Sequence, residues 1–388
     1  MSENIFQKFY RQEIQKIHNN FLKNPSAKKV IVPDGIIGTT PDLQSYFENL
    51  CGKKSDNSRI LITYYNHLWE PVLLLASKLR LRKTVGVQNW LDENDLAGLL
   101  NLAGFEIITT RKRVLIPLYI PVITKIFNKY LANLPILNSF CLIMLVIARP
   151  KQVNIKKYSV SIIIPARNEE KNISKIFSSI PRFGKSQEFI FVEGHSNDAT
   201  WNEIIKVGAK HKNVKVFKQK GLGKADAVRM GFSKAINEIL MIYDADRTVD
   251  GGDLVKFYNV LSNGTGEFAN GCRLIYPMED QAMQTLNKIG NKIFSMIFTW
   301  IFGQRFKDTL CGTKAFFSKD YKNFRHSKSD PFGDFDLIFG AVRNNLKVIE
   351  IPVRYKERQY GATNIKRFKH GLMLFKNVLS AFVEFRAW

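Results

Sequence analysis

The chain has 388 residues, 45% of them hydrophobic, with a formal net charge of +24. That length exceeds one ordinary domain of roughly 150 residues, and the apolar content excludes a wholly disordered chain. The excess of Lys and Arg points to polyanionic partners, namely nucleic acid, an anionic membrane or phosphorylated substrates. Four cysteines (Cys51, Cys141, Cys272 and Cys311) lack C-x-x-C spacing, which fits reduced cytosolic thiols rather than a disulfide framework or a zinc site.

The N-terminus, "MSENIFQKFYRQEIQKIHNNF", is charged and amphipathic and has no signal-peptide core. After it, "KKVIVPDG", "SRILITYYN", "KTVGVQNWL", "GFEIITTRKRVLI" and "CLIMLVIARP" read as strands. "DLQSYFENLC", "EPVLLLASKLRL" and "ENDLAGLLNLAG" read as helices between them. This first part is therefore α/β, and toward its end it carries Pro117, Pro121 and Pro135. A boundary falls near "ARPKQVNIKKYS", where hydrophobicity drops and cations gather.

Beyond it, strands "VSIIIP", "EFIFVEG", "NVKVFKQ" and "EILMIYDAD" alternate with helices "EEKNISKIFSSI", "DATWNEIIKVGAKH" and "KADAVRMGFSKAI". Repeated β-α with continuous apolar strands implies a mainly parallel sheet covered on both faces. Ligands bind such sheets at the carboxyl ends of the strands. Asp244 and Asp246, the loop 166–169 and the loop 193–198 all lie at such ends. Two bare carboxylates one residue apart repel, and a divalent cation between them is the simplest remedy. Carboxylate oxygens suit Mg²⁺ or Mn²⁺, which in turn bridges a diphosphate. "KGLGKADAVRMG" offers a glycine-rich turn into a helix, with Lys224 beside it, but Asp226 stands where a dinucleotide loop would have its third glycine.

"SIIIPARNEEKNI", "FVEGHSNDAT", "KGLGKADAVRMG", "IYDAD", "NGCRLIYP", "DTLCGTKAFF", "GDFDLIFGA" and "PVRYKERQYGATNI" occur in an order that resembles the family 2 glycosyltransferases of the GT-A fold. The branch they resemble is the dolichyl- or polyprenyl-phosphate sugar transferases, over residues 158–370. The resemblance implies that Pro165, Ala166, Glu169, Glu193, Asp198, Gly221, Gly223, Lys224 and Asp244 line the nucleotide-sugar donor. Asp244 and Asp246 would hold the metal; Asp246, Asp308 and Arg358 would act in transfer. Arg273, Lys314, Asp334 and Asp336 would face the acceptor. Five positions depart from the family's usual pattern: Gly194 and His195 in "VEGHSND", Thr248 in place of a Gln, Lys314 in place of an Arg, and Asn364 in place of a Lys, with Lys366 nearby.

Such an enzyme inverts the anomeric centre. An anionic lipid phosphate acceptor makes a general base unnecessary; a saccharide hydroxyl requires one, with Asp308, Asp334 and Asp336 as candidates. Three readings remain: sugar transfer from a UDP- or GDP-sugar to a polyprenyl phosphate, transfer to a saccharide hydroxyl in polysaccharide assembly, and a non-catalytic two-domain scaffold. The segment "NKIFSMIFTWIFGQRFKD" suits either a membrane interface or a buried amphipathic helix, and residues 371–388 form an amphipathic, aromatic C-terminal helix beside Arg354, Lys356, Arg358 and Lys369. No stretch reaches the roughly 18 uncharged apolar residues of a membrane span, so a cytoplasmic enzyme attached peripherally to an anionic membrane is expected. Nucleic acid is not expected, because no helix-turn-helix, RRM or zinc pattern is present.

Residues 1–150 resemble the C-terminal half of a class I S-adenosylmethionine methyltransferase in "RILITYYNHLWEPVLLLASKLRL", "QNWLDENDLAGLLNLAGFEII" and "CLIMLVIARP". The family's glycine-rich cofactor loop is missing, so this part is expected to start after the cofactor-binding half and to be a remnant or docking module without methyl transfer.

Overall fold

The computed structural model describes residues 5–23, 27–53, 55, 57–79, 88–152, 155–276, 285–325, 333–358, 360 and 367–386. Two compact units emerge. The first comprises residues 1–151, 300–304 and 381–388; the second comprises 152–299 and 305–380.

The first unit is built on four strands, β1 (Lys28–Ile31), β2 (Ser58–Tyr65), β3 (Phe105–Arg113) and β4 (Ile143–Pro150), in the order β1-β2-β4-β3. β1 and β2 run parallel, and β4 is antiparallel to both its neighbours. Alternate side chains serve opposite faces, as the pleat requires. Ile60, Ile62, Met144, Val146 and Ala148 pack in one core with Phe47, Leu96 and Leu100 from the helices Leu43–Gly52 and Glu93–Leu102. Leu61, Ile143, Leu145 and Ile147 pack in the other, with Ile14, Ile17 and Phe21 from the helix Ile5–Leu22. Each such fully buried side chain contributes about 1.5–3 kcal/mol. The helix Glu93–Leu102 starts on a capping box in which Asp92 and Asp95 bond each other's backbone amides. The strand expected over residues 83–91 is not described at 83–87, and 88–91 have no regular structure.

The second unit holds seven strands: β5 (Val160–Ala166), β6 (Gln187–Glu193), β7 (Val214–Lys218), β8 (Ile239–Ile242), β9 (Phe268–Cys272), β10 (Lys314–Phe317) and β11 (Val348–Pro352). Their order is β11-β9-β10-β8-β5-β6-β7. Only β10 runs against its neighbours; β8, β5, β6 and β7 are parallel, as are β9 and β11. This is the mainly parallel α/β sheet that the strand–helix alternation implies. The chain builds outward from β5 through β6 to β7, then returns through the helix Lys224–Lys234 to place β8 on the other side of β5. That reversal opens a crevice at the carboxyl ends of β5 and β8.

The segment 291–308 begins inside the helix Thr285–Phe302, which buries Phe298, Ile301 and Phe302 and leaves Ile289, Ile293 and Met296 exposed. The helix Arg367–Phe385 likewise buries Val378, Ala381 and Phe385 while Leu379 and Val383 stay exposed. Among the described residues no helix is long and apolar enough to cross a membrane.

Candidate active site at the carboxyl ends of the central strands

Three loops follow β5, β6 and β8, and each contains a non-glycine residue with a left-handed backbone: Asn168 (φ 57°), His195 (φ 57°) and Arg247 (φ 56°). Such conformations are uncommon and persist where the surroundings hold them. Here hydrogen bonds do so. Pairing puts Ala166 opposite Glu193 at the ends of β5 and β6, and the Gly194 amide donates to the Ala166 carbonyl at 2.9 Å. The Asn168 amide donates to Ser196 Oγ (3.0 Å), and the Asn197 amide returns a bond to Asn168 Oδ1 (2.8 Å). Glu193 is buried and accepts from the Ser196 amide at 2.5 Å. Asp198 accepts from the Thr200 amide at 3.0 Å and from the Glu170 amide at 3.3 Å. Glu193 and Asp198, expected on the donor, thus hold together the loops that follow β5 and β6. Pro165 and Ala166 occupy the last two positions of β5 beside them.

The glycine-rich turn folds around an acid. Gly223 (φ 88°) breaks the chain direction just before the helix Lys224–Lys234. The Gly221 amide donates to Asp226 Oδ2 at 3.0 Å, and a side chain at Gly221 would collide with that carboxyl group. His195 Nε2 meets the Gly221 carbonyl at 2.9 Å, linking this turn to the loop after β6. Asp226, a departure from glycine-loop patterns, is the group that sets this turn's shape.

β8 ends at Ile242, and Asp244 and Asp246 follow on its exit loop. Lys224 Nζ lies 2.5 Å from Asp244 Oδ1. Burial works against both charges, but the pair wins: Lys224 is held above the ordinary lysine range and Asp244 below the ordinary carboxylate value. Gly312 closes this corner, since any side chain there would strike Asp244 and Lys224. Asp246 is bound on both oxygens. Thr248 donates to Oδ1 through its amide (3.1 Å) and hydroxyl (2.9 Å), and Arg358 Nη2 reaches Oδ2 at 2.7 Å. The same guanidinium donates to Glu169 Oε1 at 3.0 Å.

Arg358 arrives from far along the chain because residues 353–358 run beside the exit loop of β8. Val249 bridges Tyr355, and the Lys356 amide donates to the Thr248 carbonyl at 2.9 Å. Burial pushes the Glu169 carboxyl up to about 7, while the hydrogen bond from Asn172 and the charge of Arg358 oppose the rise. Asn364 and Lys366 lie outside the described residues.

The donor set fits a hard divalent cation. Asp244 and Asp246 offer oxygen ligands two residues apart on the exit loop of β8. Among the described residues no third Asp, Glu, His or Cys joins them, so a diphosphate and water would complete the shell.

The remaining site residues lie in two closed networks. Asp308 is fully buried and accepts from the Arg273 amide (3.0 Å), Arg273 Nε (2.7 Å) and Nη2 (2.9 Å), Asn291 Nδ2 (2.7 Å) and the Leu310 amide (3.0 Å). Burial raises its carboxyl, but Arg273 and these donors outweigh that and hold it down at about 2. Arg273 also stacks over Tyr355, its guanidinium 5.1 Å from the ring centre. Lys314 is fully buried, with Nζ 2.7 Å from Asp334 Oδ1 at the start of the helix Asp334–Arg343 and bonded also to the Cys311 carbonyl. Asp336, in the first turn of that helix, is buried beside Ala225, Arg229 and Tyr321. Sequence reasoning noted Thr248 and Asp226 only as departures from expected patterns and missed Gly312, whose signal was the glycine inside "DTLCGTK".

Residues 161–329 match the family model described as glycosyl transferase family 2. The chain is 29% identical over 220 residues to glycosyltransferase AglJ of Haloferax volcanii, covering 56% of this chain and 70% of that protein. It is 25% identical over 228 residues to the dolichyl-phosphate hexose transferase of the same organism, covering 58% and 95%. It is 26% identical over 212 residues to the dolichol-phosphate mannosyltransferase of Pyrococcus furiosus, covering 53% and 59%. Among solved structures, glucosyl-3-phosphoglycerate synthase from Mycobacterium tuberculosis in complex with Mn²⁺, UDP and glucosyl-3-phosphoglycerate aligns with a TM-score of 0.42 and 15% identity, over 59% of this chain and 80% of that one. The strand ends, the glycine turn and the D-x-D loop of the second unit therefore lie within the residues, 161–329, that match the glycosyl transferase family 2 model.

Proposed function

We propose that the chain is a hexosyltransferase that moves a sugar, with inversion, from a UDP- or GDP-sugar to a polyprenyl phosphate at a membrane surface. The observation that carries this reading is the fate of the candidate bases. Asp308 is saturated by Arg273 and Asn291, Asp334 is paired with buried Lys314, and Asp336 is buried on its helix. A saccharide hydroxyl needs a carboxylate base, whereas a lipid phosphate oxygen is already anionic. The names of two similar proteins, a dolichyl-phosphate hexose transferase and a dolichol-phosphate mannosyltransferase, favour the same acceptor class.

In this mechanism the loops of β5 and β6 and the Gly221–Gly223 turn seat the nucleotide. Lys224 neutralises and orients Asp244, and Thr248 fixes Asp246 through Oδ1 while Arg358 meets Oδ2. A divalent ion held by Asp244 and Asp246, Mg²⁺ or Mn²⁺, would supply charge neutralisation for the departing diphosphate. Arg358 stands 2.7 Å from Asp246 and can turn toward the same diphosphate. The acceptor oxygen forms its bond to the anomeric carbon as the bond to the nucleotide diphosphate breaks, and the diphosphate leaves with that electron pair. Positioning and charge stabilisation then account for the catalysis. Arg273 and Lys314, tied to Asp308 and Asp334, would hold the acceptor end of the site in shape. The first unit acts as a docking module without methyl transfer.

The test is label transfer from a panel of radiolabelled UDP- and GDP-sugars to polyprenyl phosphate, with Mg²⁺ or Mn²⁺ and with Asp246→Asn in parallel. Label in the lipid phase that the variant loses supports the reading. Bound donor with no lipid labelling would redirect it to a saccharide acceptor, and failure to bind any donor would favour a scaffold.

A further inference from the structure

β3 and β4 are antiparallel neighbours, with Arg113 opposite Ile143. Two such strands can be joined by a few residues. Here residues 114–142 make a long excursion that carries the short helices Ile123–Lys129 and Pro135–Ser139. Its outer side is apolar: Tyr119, Val122, Ile136 and Phe140 are 67%, 69%, 79% and 54% exposed. A second apolar row adjoins it. Leu68, Val72, Leu75 and Leu79 recur at helical spacing and are 46%, 52%, 57% and 60% exposed, while Leu73 points inward. The two segments are tied together. Trp69 Nε1 donates to the Phe140 carbonyl at 2.7 Å, and the Asn66 amide donates to the Leu142 carbonyl at 2.8 Å. Single exposed leucines are ordinary, but a continuous face of this kind marks a contact surface.

Charge selects the partner. From Ile107 to Asn168 the sequence contains neither Asp nor Glu. Lys125 and Lys129 are exposed within the excursion, and Lys129 Nζ sits 5.6 Å from the Tyr130 ring centre. Aliphatic side chains projecting outward, tyrosines between them and lysines at their edge match the boundary between lipid headgroups and acyl chains. The lack of carboxylates in the excursion, with Glu70 the one acid in the adjoining row, matches a negative surface potential.

We propose that this face of the first unit, formed by residues 68–79 and 118–140, seats in the interface of an anionic lipid bilayer. The inference rests on the membrane-surface reading above and names the part of the chain that makes the contact. It assigns the docking role to the non-catalytic unit, in addition to the exposed stripes on the helices Thr285–Phe302 and Arg367–Phe385.

The test is flotation of the full chain with vesicles of phosphatidylcholine and phosphatidylglycerol, and with phosphatidylcholine alone. The unaltered chain should float with the anionic vesicles, less so at raised salt. Tyr119→Ser combined with Ile136→Ser should weaken partitioning at least about tenfold, since each removes apolar area from the bilayer contact. Lys125→Glu combined with Lys129→Glu should remove the preference for phosphatidylglycerol. Thermal denaturation of each variant checks that the unit stays folded, as all four positions are exposed. Variants that float like the unaltered chain would overturn this assignment while leaving membrane attachment intact. A chain that floats with no vesicle overturns both. A self-association abolished by Tyr119→Ser and Ile136→Ser, without vesicle binding, would make the face a contact between copies of the chain.

Discussion

The second unit contains two Asp–Arg pairs with the same chemistry and opposite surroundings. Asp308 and Arg273 are sealed: the carboxylate has no exposed surface, and five donors saturate it. Asp246 and Arg358 meet at the open end of β8, with side chains 13% and 30% exposed. An ion pair in the interior stabilises a particular arrangement of the chain around it, and losing one partner leaves a charge stranded. A pair at a crevice mouth exchanges partners at little cost, as the proposed diphosphate contact requires. Residue type alone does not distinguish structural from functional carboxylates; saturation and access do.

The sharpest way to break this comparison is Asp308→Ala. It should strip Arg273 of its counter-charge and cost about 3–5 kcal/mol of stability, read as a lower denaturant midpoint. A variant as stable as the unaltered chain yet inactive would move Asp308 into the catalytic set. Asp246→Asn should do the reverse. Sugar transfer should fall roughly 10²–10³-fold, with the denaturation midpoint changed by no more than about 1 kcal/mol. A large loss of stability there would erase the distinction between the two pairs.

Gly312→Ala is the next effect in size. The added methyl group must displace Asp244 and Lys224, which should cost about 1–3 kcal/mol through overpacking. Transfer should fall together with stability; a fully active variant would show that the Lys224–Asp244 contact is dispensable.

The smallest effect is a pH dependence. The folded-state value of Glu169 is raised by burial from 4.5 to about 7. Its protonated form is therefore the one the fold prefers, and the associated stability is fully present below about pH 4.5 and lost as pH rises through about 7. Between those limits the unaltered chain should lose on the order of 1 kcal/mol, and Glu169→Gln should flatten that slope. Asp308 has the opposite sign. Its value is depressed to about 2, so its contribution is present above about pH 3.8 and disappears only as pH falls toward 2. Equal slopes in the two proteins across the neutral range would assign the dependence to other groups.

Much of this was legible in one dimension. The β-α alternation after residue 158 gave a mainly parallel sheet, because continuous apolar strands of four to seven residues have few other ways to bury both faces. The D-x-D loop was visible because an apolar strand runs straight into it. What the alternation could not convey is saturation. Asp308, Asp334 and Asp336 stood level as candidate bases until their partners, Arg273, Asn291 and Lys314, were located in space. Thr248 was seen only as a missing glutamine, yet its own backbone and hydroxyl orient Asp246. Helical spacing at Leu68, Val72, Leu75 and Leu79 shows an apolar stripe without saying which way it faces, and in the fold it faces outward.

The sequence by itself determined the fold class and the position of the D-x-D loop at a strand end, because hydrophobic periodicity and chain order are local properties. Tertiary structure alone decided that Arg358 reaches Asp246 across 112 residues, that Lys224 grips Asp244, that Asp308 is sealed, and which apolar face is left uncovered. Those outcomes depend on which segments meet and how much water remains between them, and burial and pairing become defined only when distant segments pack.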